Sequence, residues 1–206
     1  MESKVEACLR QILEAGGAFD TKDHERMEQL GPGAVPVLTA IMRKEESAGH
    51  LWICRINRAL PERFQSSAIR RRSWDSGVAA NLLLDSPFGH DAFPAMVELL
   101  DNPQREARYL AAEVLAEFAT AKDAEFSRKL ADAIDRETDS TVRVYLAGAL
   151  GRIDPSSPVI DKYIRPMLQA RALHYQEVAE ELLDSIQAQS RIQAQQTKDQ
   201  SNGPAR

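Results

Sequence analysis

Cysteine is nearly absent, with two in 206 residues, Cys8 and Cys54. They are far apart and fall on apolar faces of helix-like stretches. The pair therefore reads as buried free thiols in a reducing compartment, not as a disulfide framework or a cysteine metal site. Aromatic residues make up only 6%, so small aliphatic contacts must do most of the packing. An excess of basic residues is also missing. Twenty-six Lys and Arg stand against 31 Asp and Glu, a net charge of -5, which argues against general nucleic-acid binding. No apolar run approaches the roughly 18 residues that a membrane span needs. The first helix-like stretch begins at once and carries charges, so no secretory signal is expected and a cytoplasmic location is. No Gly-rich phosphate loop, nucleophile elbow or cysteine beside a base is found. No run of alternating β-branched residues sits between turn signals, so no strand is expected.

What the chain does contain is one apolar pattern used repeatedly. Val142, Tyr145, Leu146, Ala149, Leu150 and Ile153 stand at offsets 0, 3, 4, 7, 8 and 11, which is the period of a helix with one buried stripe. The template fits 35 positions earlier, at Ala107, Leu110, Ala111, Val114, Leu115 and Phe118. It fits 33 positions later, at Tyr175, Val178, Ala179, Leu182, Leu183 and Ile186. Weaker copies start at Phe19, Gly49 and Asp75. Regular helix pairs with two turns need at least about 30 residues, so the short step from Gly49 to Asp75 marks an irregular unit.

In chain order, helices are expected over residues 2–15, 21–30, 34–44, 47–60, 74–84, 89–100, 124–136, 142–153, 160–170 and 173–189, with one more that follows the turn Asp101-Asn102-Pro103 and ends near Phe118. The link Gly31-Pro32-Gly33, Pro36 in a first turn, and the breakers Asp85-Ser86-Pro87 and Asp154-Pro155 punctuate them. In the helix at 34–44, Ala34, Val37, Leu38 and Ile41 are expected to face inward. Residues 61–73 are the least regular, and a short helix is expected among them. Residues 1–189 are expected to form one repeat body, irregular around 61–86. Residues 190–206, rich in glutamine, are expected to be a frayed or disordered tail because they offer no apolar stripe.

The units resemble HEAT repeats, including the short bacterial form. That family's second helix opens with an acid, then Val-Arg, small residues and Leu-Gly. Here stand Asp139, Val142-Arg143, Ala147, Ala149 and Leu150-Gly151. The preceding unit has Asp101, Arg105, Ala107, Ala111 and Leu115. The resemblance implies an all-α fold, a right-handed α-solenoid of about six antiparallel helix pairs. It also implies a ladder between repeats from Asp101 with Arg105 and Asp139 with Arg143; solvated surface pairs are the other reading. The implied role is a non-enzymatic scaffold, monomeric and cofactor-free, that holds a protein partner on its concave face. HEAT-like lyases of bilin attachment are similar in repeat style and supply one alternative, an accessory lyase or chaperone.

The sharpest local feature is basic. Arg55, Arg58, Arg63, Arg70, Arg71 and Arg72 run up to Trp74. Guanidinium forks match carboxylate and phosphate oxygens, and Trp adds a flat apolar contact. The partner-binding candidates are Arg55, Arg58, Arg70, Arg71, Arg72 and Trp74. Three uses fit them: an acidic protein surface, a nucleic-acid backbone, or pairing with Glu62 and Asp75 while Trp74 closes an irregular unit. HEAT-like DNA glycosylases carry basic charge along the whole solenoid, whereas this chain concentrates it in one patch. His24-Glu25 is similar to one of the several His-Glu pairs of HEAT-like di-iron hydroxylases. His50, His90 and His174 lack the following Glu, so no metal site is expected. Glu177, Glu180, Glu181 and Asp184 read as a solvated face.

Overall fold

The computed structural model of the protein describes Ala7, Glu25 and residues 28–43 and 75–201. The expected helices over 2–15, 21–27 and 47–60, the stretch 61–73, and the residues after Ser201 lie outside these, apart from Ala7 and Glu25. Among the described residues every element is helical and no strand occurs. No helix among them is long and apolar enough to cross a membrane. The chain divides into two compact units, Met1–Leu110 and Ala111–Arg206.

In the first unit, residues 28–30 are helical and Gly31 turns the chain with φ 63°. That left-handed conformation suits a residue without a Cβ. A 3-10 turn Gly31–Ala34 leads into α1, Val35–Arg43. Pro36 lies in the first turn, where no intrahelical N–H is required. Its carbonyl accepts the Thr39 hydroxyl at 3.0 Å, which satisfies that buried side chain. The buried face of α1 is Ala34, Val35, Leu38, Thr39 and Met42, while Val37 and Ile41 are half-buried. The stripe is thus turned by about one residue from the expected Ala34, Val37, Leu38 and Ile41. The reason is that α1 is touched from more than one direction. It packs on α2, Asp75–Leu84, and also on the 3-10 turn Gly89–Ala92 and on α3, Phe93–Leu99.

α2 buries Val78, Ala79, Ala80, Leu82 and Leu83, and stops where Asp85-Ser86-Pro87 was expected to stop it. Buried Ser86 accepts the Phe88 N–H at 3.0 Å. α3 contributes Phe93, Met96, Val97 and Leu99 to the core. Arg43 pairs with Glu98 across α1 and α3, with side chains 48% and 66% exposed. A pair so exposed contributes at most about 1 kcal/mol. The turn after α3 is held by polar contacts. Asn102 accepts the Gln104 N–H at 2.8 Å, and Arg108 donates to the Asn102 and Pro103 carbonyls, each at 3.1 Å. α4, Arg105–Phe118, follows, and the division between the two units falls inside it.

In the second unit, Thr120 and Asp123 form a reciprocal capping box that starts a 3-10 turn, Ala121–Phe126. α5, Ser127–Arg136, buries Leu130, Ala133 and Ile134. α6, Ser140–Ile153, is the hub. It packs against α5, against α7 (Leu173–Ser201), against the turn Ala121–Phe126 and against a π-helical turn, Ile160–Ile164. Nine of its 14 residues are buried, including Val144, Ala147, Gly148 and Gly151 outside the single stripe. Neighbours on several sides turn a stripe into a nearly complete jacket.

The close approach of α7 depends on glycine. A Cβ placed on Gly148 would lie 2.6 Å from Leu182 Cδ2, and one on Gly151 would lie 2.7 Å from Ile186 Cδ1. One expectation changes here. The helix expected over 160–170 is instead the π turn followed by a 3-10 turn, Arg165–Gln169. Pro166 has no N–H to offer the Lys162 carbonyl, and its ring crowds that carbonyl, so a regular helix cannot pass. The last helix, by contrast, runs on past Gln189 to Ser201. Its packed residues end at Ile186, and Gln189 and Gln193 continue the same side half-buried.

Replacing Gly148 with a larger residue must displace the Leu182 side chain or push α7 away from α6. Gly148→Val is expected to lower unfolding free energy by about 1–3 kcal/mol. Leu182→Ala alone is expected to cost about 2–5 kcal/mol. In the double variant the two costs are expected to sum to less than their separate values, and urea unfolding of the four proteins measures that coupling.

Candidate functional site

The partner-binding candidates Arg55, Arg58, Arg70, Arg71, Arg72 and Trp74 lie outside the described residues, as do Cys8, Cys54, His24 and His50. The remaining candidates are placed, and they are dispersed. Glu25 is helical and exposed. His90 is exposed and stacks on Phe93 with ring centroids 5.8 Å apart. His174 is exposed beside Tyr175, also at 5.8 Å. Glu177, Glu180, Glu181 and Asp184 are all exposed on α7. Among the described residues no group of three His, Cys, Asp or Glu side chains could hold a metal ion.

The densest polar constellation is the turn from α5 into α6. Glu137 is only 6% exposed, and its carboxylate accepts the backbone N–H groups of Thr138 and Asp139 at 2.8 and 2.9 Å. The Asp139 carboxylate accepts those of Thr141 and Val142 at 3.0 and 3.1 Å. Asp139 is therefore the N-cap of α6, which satisfies two amides that lack helical partners and places negative charge at the positive end of the dipole. Arg143 donates to the Glu137 carbonyl, and its guanidinium lies over the Tyr163 ring at 5.6 Å. Lys162 approaches the same ring from 4.8 Å and is exposed. Arg105 holds a corresponding place in the preceding unit. It lies over Tyr109 at 5.4 Å and 3.3 Å from Glu106. These acids and arginines hold turns and helix starts, which is structural chemistry.

A second polar device closes the other end of α6. Arg152 has a side chain 16% exposed. Its Nε donates to the Ala119 carbonyl at 3.0 Å, and Nη1 lies 4.0 Å from Glu117. Burial pushes the guanidinium below its ordinary pKa and Glu117 pulls it back. An arginine so placed is still a cation at neutral pH. The Arg152 carbonyl in turn accepts the Gln193 side-chain amide at 3.3 Å. Sequence reading missed Glu137, Arg152 and Gln193. A buried acid, a buried base and a glutamine in a polar tract give no periodic signal.

No family model, no curated protein and no solved structure matches the chain.

Arg152→Ala is expected to lower stability by about 1–3 kcal/mol, because the Ala119 carbonyl loses a charged donor and packed stem is removed. Arg152→Lys is expected to recover only part of this, since an ammonium lacks the planar fork. Asp139→Ala is expected to cost about 1 kcal/mol. Urea denaturation followed by circular dichroism measures all three.

Proposed function

We propose that this chain is a non-enzymatic scaffold or adaptor. In this reading it is an α-solenoid of HEAT-like helix pairs whose second helices form a concave face for a protein partner. The observation that supports it most is repetition. The same six-position stripe recurs in α4, α6 and α7 at intervals of 35 and 33 residues. Each copy is buried or half-buried throughout. A unit that exposes an apolar face alone and covers it with the next unit is the basis of solenoid stability. Glu137, Asp139, Arg143 and Arg152 serve turns and helix ends, which fits a scaffold. The step from repeat to partner is by analogy of architecture.

Arg55, Arg58, Arg70, Arg71 and Arg72, with Trp74, are the residues assigned to the partner. An acidic protein surface suits them, because several guanidinium forks can each take a carboxylate in two-point contact. A nucleic-acid backbone is the second reading, favoured by six arginines within 18 positions of an otherwise acidic chain.

Capture experiments with the tagged full chain from its own cells test this. A partner is expected that is lost when Arg70, Arg71 and Arg72 are changed together to Ala while the circular dichroism spectrum is kept. Capture of the same proteins by wild type and variant would remove the arginines from the interface. Duplex or single-stranded DNA binding that falls steeply with salt, and is lost in the same variant, would replace the protein partner with the second reading.

A further inference from the structure

The structure carries α7 without a break from Leu173 to Ser201, and this changes the meaning of its outer face. Val178, Ala179, Leu182 and Ile186 point into the second unit. On the opposite side run Glu177, Glu181, Asp184, Ala188, Arg191, Gln195 and Lys198, all exposed. Their spacing alternates four and three, so they form a single stripe about 30 Å long. The stripe is acidic in its first half and basic in its second, with Ala188 at its middle. Ile192, 50% exposed, stands one turn beyond Ala188.

A stripe with this order of charge is complementary to itself only when reversed. Parallel pairing would set acid on acid and base on base. Antiparallel pairing about a two-fold axis beside Gln187 and Ala188 sets Glu177 opposite Lys198 and Asp184 opposite Arg191, twice each. The centre is then lined by small Ala188, which permits close approach, with Ile192 at its border. Closed two-fold interfaces require such self-complementarity.

We propose that the outer face of α7 is a docking surface for a second copy of this chain, giving a weak antiparallel dimer. From the sequence alone a monomer is expected. The dimer does not depend on the scaffold reading above, and either can fail without the other. Its centre has little apolar area and its pairs are solvated, so association is expected in the micromolar range or weaker and to be screened by salt.

Sedimentation equilibrium of the full chain over a concentration series tests this. A monomer–dimer equilibrium is expected, with a dissociation constant that rises at least tenfold between 50 and 500 mM NaCl. Two charge-reversed chains sharpen the test, Glu177→Lys with Asp184→Lys, and Arg191→Glu with Lys198→Glu. These positions are exposed, so both chains are expected to keep the wild-type circular dichroism spectrum. Each alone is expected to be monomeric, since the first stripe is then basic along its length except for Glu181 and the second is wholly acidic. An equimolar mixture is expected to form a heterodimer. A chain that stays monomeric at millimolar concentration in low salt would overturn the proposal. So would a dimer that neither double variant disrupts, or two variants that fail to associate when mixed.

Discussion

The packing of α7 onto α6 at two glycines is the contact on which the second unit rests. Gly148 and Gly151 offer no side chain, and the ends of Leu182 and Ile186 occupy the space that a Cβ would need. On either side of Gly148, Ala147 and Ala149 are fully buried as well. In a chain with few aromatics the core cannot be filled by large plates. It is filled by bringing helices together until aliphatic tips interlock, and dispersion at short range makes up for the missing bulk.

That geometry has a consequence for polar groups. Helices drawn close together leave their termini near one another, and each terminus carries backbone groups without helical partners. The protein meets this at both ends of α6. Asp139 and Glu137 satisfy amides at the start, and Arg143 takes the Glu137 carbonyl. At the far end Arg152 reaches Ala119, and Gln193 reaches the Arg152 carbonyl. The side of α7 that is Leu182 and Ile186 against the body of α6 becomes Gln189 and Gln193 where α6 ends. One helix face changes from apolar to amide where its neighbour changes from side chains to unpaired carbonyls.

Periodicity made much of the fold legible in the sequence. The stripes of α4, α6 and α7 could be read because burial on one side imposes a fixed spacing. The breakers at Asp85-Ser86-Pro87 and Asp154-Pro155 could be read because Pro cannot continue a helix. What periodicity missed follows from its own limits. The extra buried positions of α6 reflect neighbours on several sides, which one stripe cannot encode. The π and 3-10 turns around Pro166 could have been expected from that proline, yet the apolar spacing of Ile160 and Ile164 outweighed it. The length of α7 was hidden because a helix can outrun its apolar stripe when its polar residues are good helix formers. The arginine-rich candidates lie outside the described residues. The polar groups that the structure does place were invisible to pattern, since Glu137 and Arg152 act through backbone groups whose positions carry no periodic signal.

The half-packed state of α7 sets how the protein comes apart. Its first half is anchored by Val178, Ala179, Leu182 and Ile186, and opens only with the unit it belongs to. Its second half is held by intrahelical hydrogen bonds and by the contact of Gln193 with the Arg152 carbonyl, so it frays alone at little cost. One unbroken rod therefore contains two stabilities. A protease that nicks the chain beyond Gln189 would release a short peptide and leave the unit beneath it folded, with its acidic outer half intact and its basic half gone.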